Sequence, residues 1–242
     1  MGTVPGSFAG PQPRPTGLIA ETPSAPDPLL KSARSVTDEK EPAMARYTGP
    51  KVRLSRRVGV PIADIPKHTS KRQLNPPGMH GYRMRRLRDY GLRLNEKQKL
   101  RYHYHVLEKQ FRAYVKEAAR RPGNTGELLM QLLETRLDNA VRRSGFARTI
   151  WAARQMVVHG HVRVNGKKVD RPSYTIKVGD ELSFKPKIEK LVREHMETMA
   201  GYEVPGWLDI NPGKLTSKII ARPVSEQIPF DINPNLVIEF YR

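Results

Sequence analysis

The sequence has 242 residues, with 43 Lys and Arg against 24 Asp and Glu, a formal net charge of +19 and no cysteine. The length allows one or two domains. The lack of cysteine excludes disulfides, thiolate zinc sites and cysteine nucleophiles. No run is long and apolar enough to cross a bilayer, and the charge excess calls for a polyanion, with nucleic acid the first candidate.

Residues 1–43 are rich in Pro, Gly, Ser and Thr and show no sustained apolar periodicity. Their acidic and basic side chains nearly cancel, so the positive excess lies after them. They are expected to be disordered. They lack the charged start and apolar core of a secretory signal, and their acids and few arginines disfavour a transit peptide. Met44 opens MARYTGP, an alternative start.

Residues 45–94 are basic and punctuated by turns. Pro76-Pro77-Gly78 marks a sharp one. After it, Arg83, Arg85, Arg86, Arg88 and Arg93 interleave with Tyr82 and Tyr90. A charge run is often only a solvated face. Rings and turn glycines beside it support stacking and close backbone approach to RNA.

Residues 95–121 read as one long helix. Asn95 and Gln98 have capping-box spacing, and Leu100, Tyr104, Leu107, Phe111, Val115 and Ala118 form one stripe. Pro122-Gly123 ends it. Residues 124–143 read as a second helix, with Asn124 and Glu127 in the same capping spacing. Its apolar face is wide, with Arg136, Asn139, Arg142 and Arg143 mainly on the other side. A third helix spans residues 149–159, capped by Thr149 and stopped by a left-handed Gly160.

The period then changes. Val162 and Val164 alternate with polar residues, as in a strand, and Asn165-Gly166 is a strong hairpin signal. Tyr174, Ile176 and Val178 alternate next, then Leu182 and Phe184. Residues 188–200 fit another helix. Five prolines punctuate residues 205–234, and LVIEFY near the end is strand-like.

The segment MVVHGHVRVNGKKVD, residues 156–170, holds two histidines around one glycine. A metal site needs three or four ligands, and no third is near. A catalytic pair needs an acidic partner to orient an imidazole, and none is near. Arg154, His159, His161, Arg163, Lys167 and Lys168 together offer cations and donors to phosphates and sugars. Arg136-Leu137-Asp138 matches the catalytic aspartate context of pseudouridine synthases. Here it lies in a leucine-rich helix with no glycine-rich turn, so Asp138 is expected to pair with Arg142, worth roughly 0.3–0.5 kcal/mol. Neither a phosphate-binding glycine loop nor a paired-histidine metalloprotease motif occurs, and nothing speaks positively for catalysis.

ETRLDNAVRRSGFARTIWAARQMVVHGHVRVNGKKVDRPSYTIKVGDEL resembles an RNA-binding module found in small-subunit ribosomal protein 4, pseudouridine synthases and a few tRNA synthetases. MARYTGP, PPGMHG, YGLRLNEKQKLRYHYHVLEKQFRAY, GNTGELLMQLLETRLDN and the ending VIEFYR are similar to bacterial small-subunit ribosomal protein 4, and carry the resemblance over residues 44–242. It implies an α+β fold. A mostly helical rRNA-binding domain, residues 44–125 plus 195–242, receives an inserted module, residues 126–194, of two helices beside a small antiparallel sheet. Residues 1–43 are an extension outside it.

The function this resemblance implies is structural: a primary rRNA-binding protein that nucleates small-subunit assembly on the five-prime domain of 16S rRNA. A role in translational accuracy near the channel by which mRNA enters goes with it. The implied partners are 16S rRNA and ribosomal protein 5, with ribosomal proteins 3 and 12 and its own mRNA as further candidates. No enzymatic activity, membrane contact or cofactor is implied, and the setting is cytoplasmic and ribosome-bound. The implied RNA contacts are Arg46, Tyr47, Lys51, Arg53, Arg56 and Arg57 at the start. They continue with His80, Arg83, Arg85, Arg86, Arg88 and Tyr90 around the turn, then Lys97, Lys99 and Arg101 on the long helix. The module adds Arg136, Asn139, Arg142, Arg154, Gln155, His159, His161, Arg163, Asn165, Lys167 and Lys168.

Three departures stand out. Val52 and Ser55 fall where some members carry zinc-binding cysteines, so zinc is not expected. Ile150, Trp151 and Ala152 replace more polar residues, which leaves RNA and protein both open as the neighbour of that face. The family's Phe-Tyr-Ser-Arg ending lacks its serine. The rival readings are an RNA-modifying enzyme built on the same module and a stress-response binder of stalled ribosomal complexes. The second would not require the motifs of residues 44–114.

Overall fold

A computed structural model describes residues 2, 47–63, 74–81, 86–199, 201–224 and 227–242. The expected disorder of 1–43, together with Arg46, Tyr82, Arg83 and Arg85, falls outside them, apart from Gly2. All elements below lie in the compact unit Ala45–Arg242.

Helix α1, Lys51–Val58, follows Pro50 and closes on Gly59, whose φ is 78°. It lies in a stretch whose sequence shows little periodicity. Leu54 and Val58, one turn apart, are its buried apolar pair, and they pack with Ile62 and Tyr102. Ser55 is also buried, its Oγ accepting from the Ile62 N–H at 3.3 Å.

The single helix expected over residues 95–121 is two: α2, Asp89–His103, and α3, Glu108–Arg120. Asn95 lies inside α2 and caps nothing. The break is a Schellman closure with His105 in the left-handed position, φ 50°. His105 N–H meets the Tyr102 carbonyl at 3.2 Å, and Val106 N–H meets that of Arg101 at 3.1 Å. Glycine usually fills such a position. Here distant partners hold a histidine in it.

Residues 124–143 divide likewise, into α4, Thr125–Glu134, and α5, Leu137–Arg143. Asn124 does cap α4, accepting from Gly126 N–H and donating to Glu127 at 3.0 Å, an arrangement worth about 1 kcal/mol. Between the helices, Arg136 is extended and bridges Thr175. Thr135 accepts from Ile176 N–H at 2.9 Å, and Leu137 N–H donates to Tyr174 at 2.8 Å. The alternating residues 174–178 thus pair with this joint through one bridge and form no strand of their own.

Helix α6, Ile150–Val158, is capped by Thr149, which accepts from Ala152 N–H. Gly160 closes its end in the left-handed region, φ 66°, where a side chain is strained. Strands β1, Val162–Val164, and β2, Lys167–Lys168, form the expected hairpin. Asn165 and Gly166 turn it with φ of 50° and 76°, the left-handed pair that a two-residue hairpin requires. Strand β3, Glu181–Phe184, pairs with β1, placing Val162 opposite Phe184 and Val164 opposite Leu182.

A short 3-10 turn, Pro186–Ile188, leads into α7, Glu189–Thr198. Two further strands, β4, Leu208–Asn211, and β5, Thr216–Ile219, complete an antiparallel sheet in the order β2-β1-β3-β5-β4. The sheet is therefore larger than the sequence suggests. LVIEFY is helical: it belongs to α8, Pro234–Tyr241, with Asn233 as cap and Pro234 at the first position. Its Val237 is buried against the α2–α4 core. A second core joins α5 and α6 to the sheet through Leu137, Phe146, Val162, Leu182 and Trp207.

Candidate nucleic-acid interface

The basic residues sort into two groups by burial. The first faces solvent. On the hairpin, Arg163, Lys167 and Lys168 are exposed, with Gln155 and His159 exposed on the adjoining end of α6. Alternation explains this: Val162 and Val164 turn into the core, so Arg163 must turn out. Asn165 is exposed too, but its side chain works internally. It donates to Asp180 at 2.8 Å and accepts from Glu181 N–H at 2.9 Å, fixing the hairpin to the loop before β3.

His161 is half-buried, its ring centroid 6.0 Å from that of His159. Burial lowers its pKa, and His159, Lys185 and Lys187 lower it further. Those two lysines flank Pro186 and were not singled out from the sequence. The Lys-Pro-Lys spacing ahead of a helix was the available signal, and it extends the basic surface from the hairpin towards α7.

On α1, Lys51, Arg53 and Arg57 are exposed. Arg56 is half-buried and donates to the carbonyls of Asn75 at 2.9 Å and Pro76 at 3.4 Å. It pins α1 to the turn that carries the exposed His80. Tyr47, half-buried, precedes the helix. Arg86, Arg88 and Tyr90 are exposed at the start of α2, with the Tyr90 ring 5.7 Å from Phe240.

The second group is engaged within the protein. Lys97 is buried, 3.1 Å from Glu108 and stacked over Phe240 at 4.2 Å. Arg101 reaches the same carboxylate at 2.8 Å, and Lys99 pairs with Glu96 at 2.6 Å. Burial works to raise the Glu108 carboxyl, but hydrogen bonds from Tyr241, Arg101 and Lys97 outweigh it and hold it below its usual value.

Arg136, Asn139, Arg143 and Arg154 are also buried, and Arg142 is half-buried, which corrects the outward placement expected for Arg136, Asn139, Arg142 and Arg143. Arg136 grips Asp138 bidentately, at 3.1 and 2.7 Å, and donates to the Tyr114 hydroxyl at 2.6 Å. Asp138 thus pairs with Arg136 rather than Arg142. Glu134 takes two bonds from Arg143, at 3.0 and 2.6 Å, one from Asn139 at 2.6 Å and one from Tyr104 at 2.5 Å. Burial is the main cause raising the Tyr104 hydroxyl pKa, followed by the Glu134 charge. Arg142 is half-buried beside this cluster.

Trp151, which the sequence left between RNA and protein, turns towards the chain itself. Its Nε1–H donates to His105 Nδ1 at 3.1 Å, and Lys51 sits 4.4 Å from its ring. Ile150 is buried. The buried arginines therefore tie elements together, while the exposed cations of the hairpin, the α7 approach and α1 are available to a polyanion.

Comparison with known proteins points to one family. The profile described as "Ribosomal protein S4/S9 N-terminal domain" matches residues 46–134, and that described as "S4 domain" matches residues 135–182. The "Small ribosomal subunit protein uS4" of Akkermansia muciniphila is 48% identical over 202 residues, covering 82% of this chain and 99% of the relative. That of Roseiflexus castenholzii is 45% identical over 204 residues, and that of Neisseria meningitidis 46% over 207, with the same coverage. On this identity, across nearly the whole length of each relative, the chain belongs to the uS4 family of small-ribosomal-subunit proteins, whose members are structural and not enzymes.

Proposed function

We propose that the chain is a ribosome-bound, cytoplasmic primary rRNA-binding protein, which recognises the five-prime domain of 16S rRNA and helps to nucleate small-subunit assembly. The observation that carries this reading is the exposure of Arg163, Lys167 and Lys168 on a hairpin whose opposite face is fixed in the core. Cations held on a rigid element can register against phosphates without ordering first. The exposed Lys51, Arg53 and Arg57 of α1 supply a second contact. Of the residues put forward as RNA contacts, the exposed ones other than Asn165, whose side chain is held by Asp180 and Glu181, are retained as direct contacts. Lys97, Arg136, Asn139 and Arg154 are proposed to act by positioning them.

The two-domain division remains part of this reading, with residues 126–194 as the RNA module and 44–125 plus 195–242 as the helical domain. The hydrogen-bonded pairing of β5 with β3 adds the β4–β5 hairpin to the module's sheet. Ribosomal protein 5 and a role in accuracy near the incoming mRNA belong to the same proposal. Filter binding of the full chain to a five-prime-domain 16S rRNA transcript tests it. Affinity should fall linearly on a log–log plot against salt. Equal affinity for that transcript and an unrelated RNA of the same length would defeat the proposal.

A further inference from the structure

One cavity borders the exposed basic surface and takes no part in the ion pairs of the buried arginines. It lies between α6 and α7 and encloses about 270 Å³. Gln155, Met156 and His159 present it one stripe of α6, spaced three and four residues apart as one helix face requires. Ile188, Leu191 and His195 face them from the 3-10 turn and α7. Met156 and Ile188 are buried, whereas Gln155 and His159 are exposed. Leu191 is 42% exposed, large and apolar, at the edge of a strongly basic surface. His195 is fixed in place, its ring Nδ1 3.2 Å from the Phe146 carbonyl. His161 also lines the cavity, and its Nδ1 is buried with no hydrogen-bond partner among the described residues. Three imidazoles suggest a metal, yet among the described residues no group of three or more His, Asp or Glu is arranged to hold one.

We propose that this cavity receives one unstacked nucleobase of the RNA that crosses the basic hairpin. The inference rests on the rRNA-binding reading and deepens it. Pockets for drug-sized ligands hold roughly 300–1,000 Å³, so this one suits a single small ring system. RNA is read mostly through splayed bases stacked on side chains and hydrogen-bonded along their edges. Met156, Ile188 and Leu191 supply the apolar surface for such a ring. Gln155 supplies a donor and an acceptor side by side, the pattern that matches a base edge. Burial first, then His159, Lys185 and Lys187, lower the His161 pKa and so favour the neutral ring, which has one nitrogen to donate and one to accept. The same two lysines act on His161 at the cavity and supply cations for the flanking phosphates.

Footprinting tests this. The full chain is bound to the five-prime-domain 16S rRNA transcript and probed with reagents that modify the pairing edges of all four bases. With the wild-type chain, one base that is reactive in free RNA becomes protected. Leu191→Trp, which fills the cavity, and Gln155→Ala, at an exposed position that removes no core contact, each restore reactivity at that same base. Leu191→Trp also weakens binding roughly ten-fold, as expected for the loss of one stacked base. Identical footprints for the wild type and both variants, with binding retained, overturn the pocket but leave the rRNA reading intact. So does a Leu191→Trp chain that keeps the wild-type footprint yet fails to enter the subunit, since a protein would then occupy this face. A wild-type chain that leaves no footprint overturns the rRNA reading, and the pocket with it.

Discussion

Arg154 donates to the main-chain carbonyl of His105 at 3.0 Å, tying α6 to the joint between α2 and α3. The same guanidinium lies 3.9 Å from Asp138. One buried arginine thus links α6 both to the α2–α3 joint and to Asp138 of α5. A hydrogen bond from a charged donor is worth about 1.5–3 kcal/mol.

Arg154→Ala should therefore cost about 2 kcal/mol of stability, measured by urea denaturation. It should also weaken rRNA binding while leaving its salt dependence unchanged, because Arg154 is buried and meets no phosphate. A salt slope reduced by about one would show a direct phosphate contact instead.

That arginine also shows what was legible in the sequence. The caps made by Thr149, Gly160 and Asn124 and the backbone turn at Asn165-Gly166 involve neighbours within a few residues, so they could be read locally. The break at His105 depends on Trp151 and Arg154, 46 and 49 residues away. The break at Arg136 depends on Thr175. No local pattern encodes either. LVIEFY looked like a strand because its branched and aromatic side chains favour one, but Asn233 and Pro234 start a helix that buries Val237. The site was half legible for a similar reason. Exposed cations follow from alternation about Val162 and Val164. Buried ones follow only from partners such as Glu134 and Asp138, and a charge on a helix is read as solvated by default.

His103 gives the protein a pH-dependent stability. It is buried, stacks on Phe230 at 4.1 Å, and has no hydrogen-bond partner at either ring nitrogen among the described residues. Burial, reinforced by Arg142, Arg143 and Lys99, lowers its pKa from 6.5 to about 3. The unfolded chain takes up this proton as pH falls below 6.5, and the folded chain does not. Stability is then full above pH 6.5 and is lost progressively down to about pH 3. The expected loss from this group between pH 7 and pH 5 is about 2 kcal/mol. His103→Phe keeps the stacking and should remove that share of the pH dependence in paired urea titrations. An unchanged dependence would assign it elsewhere.

Lys167 and Lys168 stand on β2 with both side chains exposed. The double change to Ala removes charge without touching the core. Affinity for the rRNA transcript should fall at moderate salt, and the log–log salt slope should drop by about one for each phosphate that is no longer neutralised. Thermal melting should stay near the wild-type value. Weaker affinity with an unchanged slope would mean that the lysines do not meet phosphates.

Trp151, on α6, touches both α1 and the α2–α3 joint. Its ring packs on the Leu54, Val58, Ile62 and Tyr102 cluster, its Nε1–H bonds His105, and Lys51 lies over it. Trp151→Phe removes the hydrogen bond and keeps most of the apolar contact, so stability should fall by about 1 kcal/mol. Trp151→Ala removes all three and should cost roughly 3 kcal/mol. The destabilisation should appear where those interactions are. Hydrogen exchange of the α1 amides should accelerate sharply in the Ala variant and modestly in the Phe variant, while the β1–β3 amides keep their protection. Because α1 carries Lys51, Arg53 and Arg57, loosening it should also weaken rRNA binding in the same order. Equal acceleration in α1 and in the sheet would make Trp151 part of one common core rather than the fastener of a basic helix.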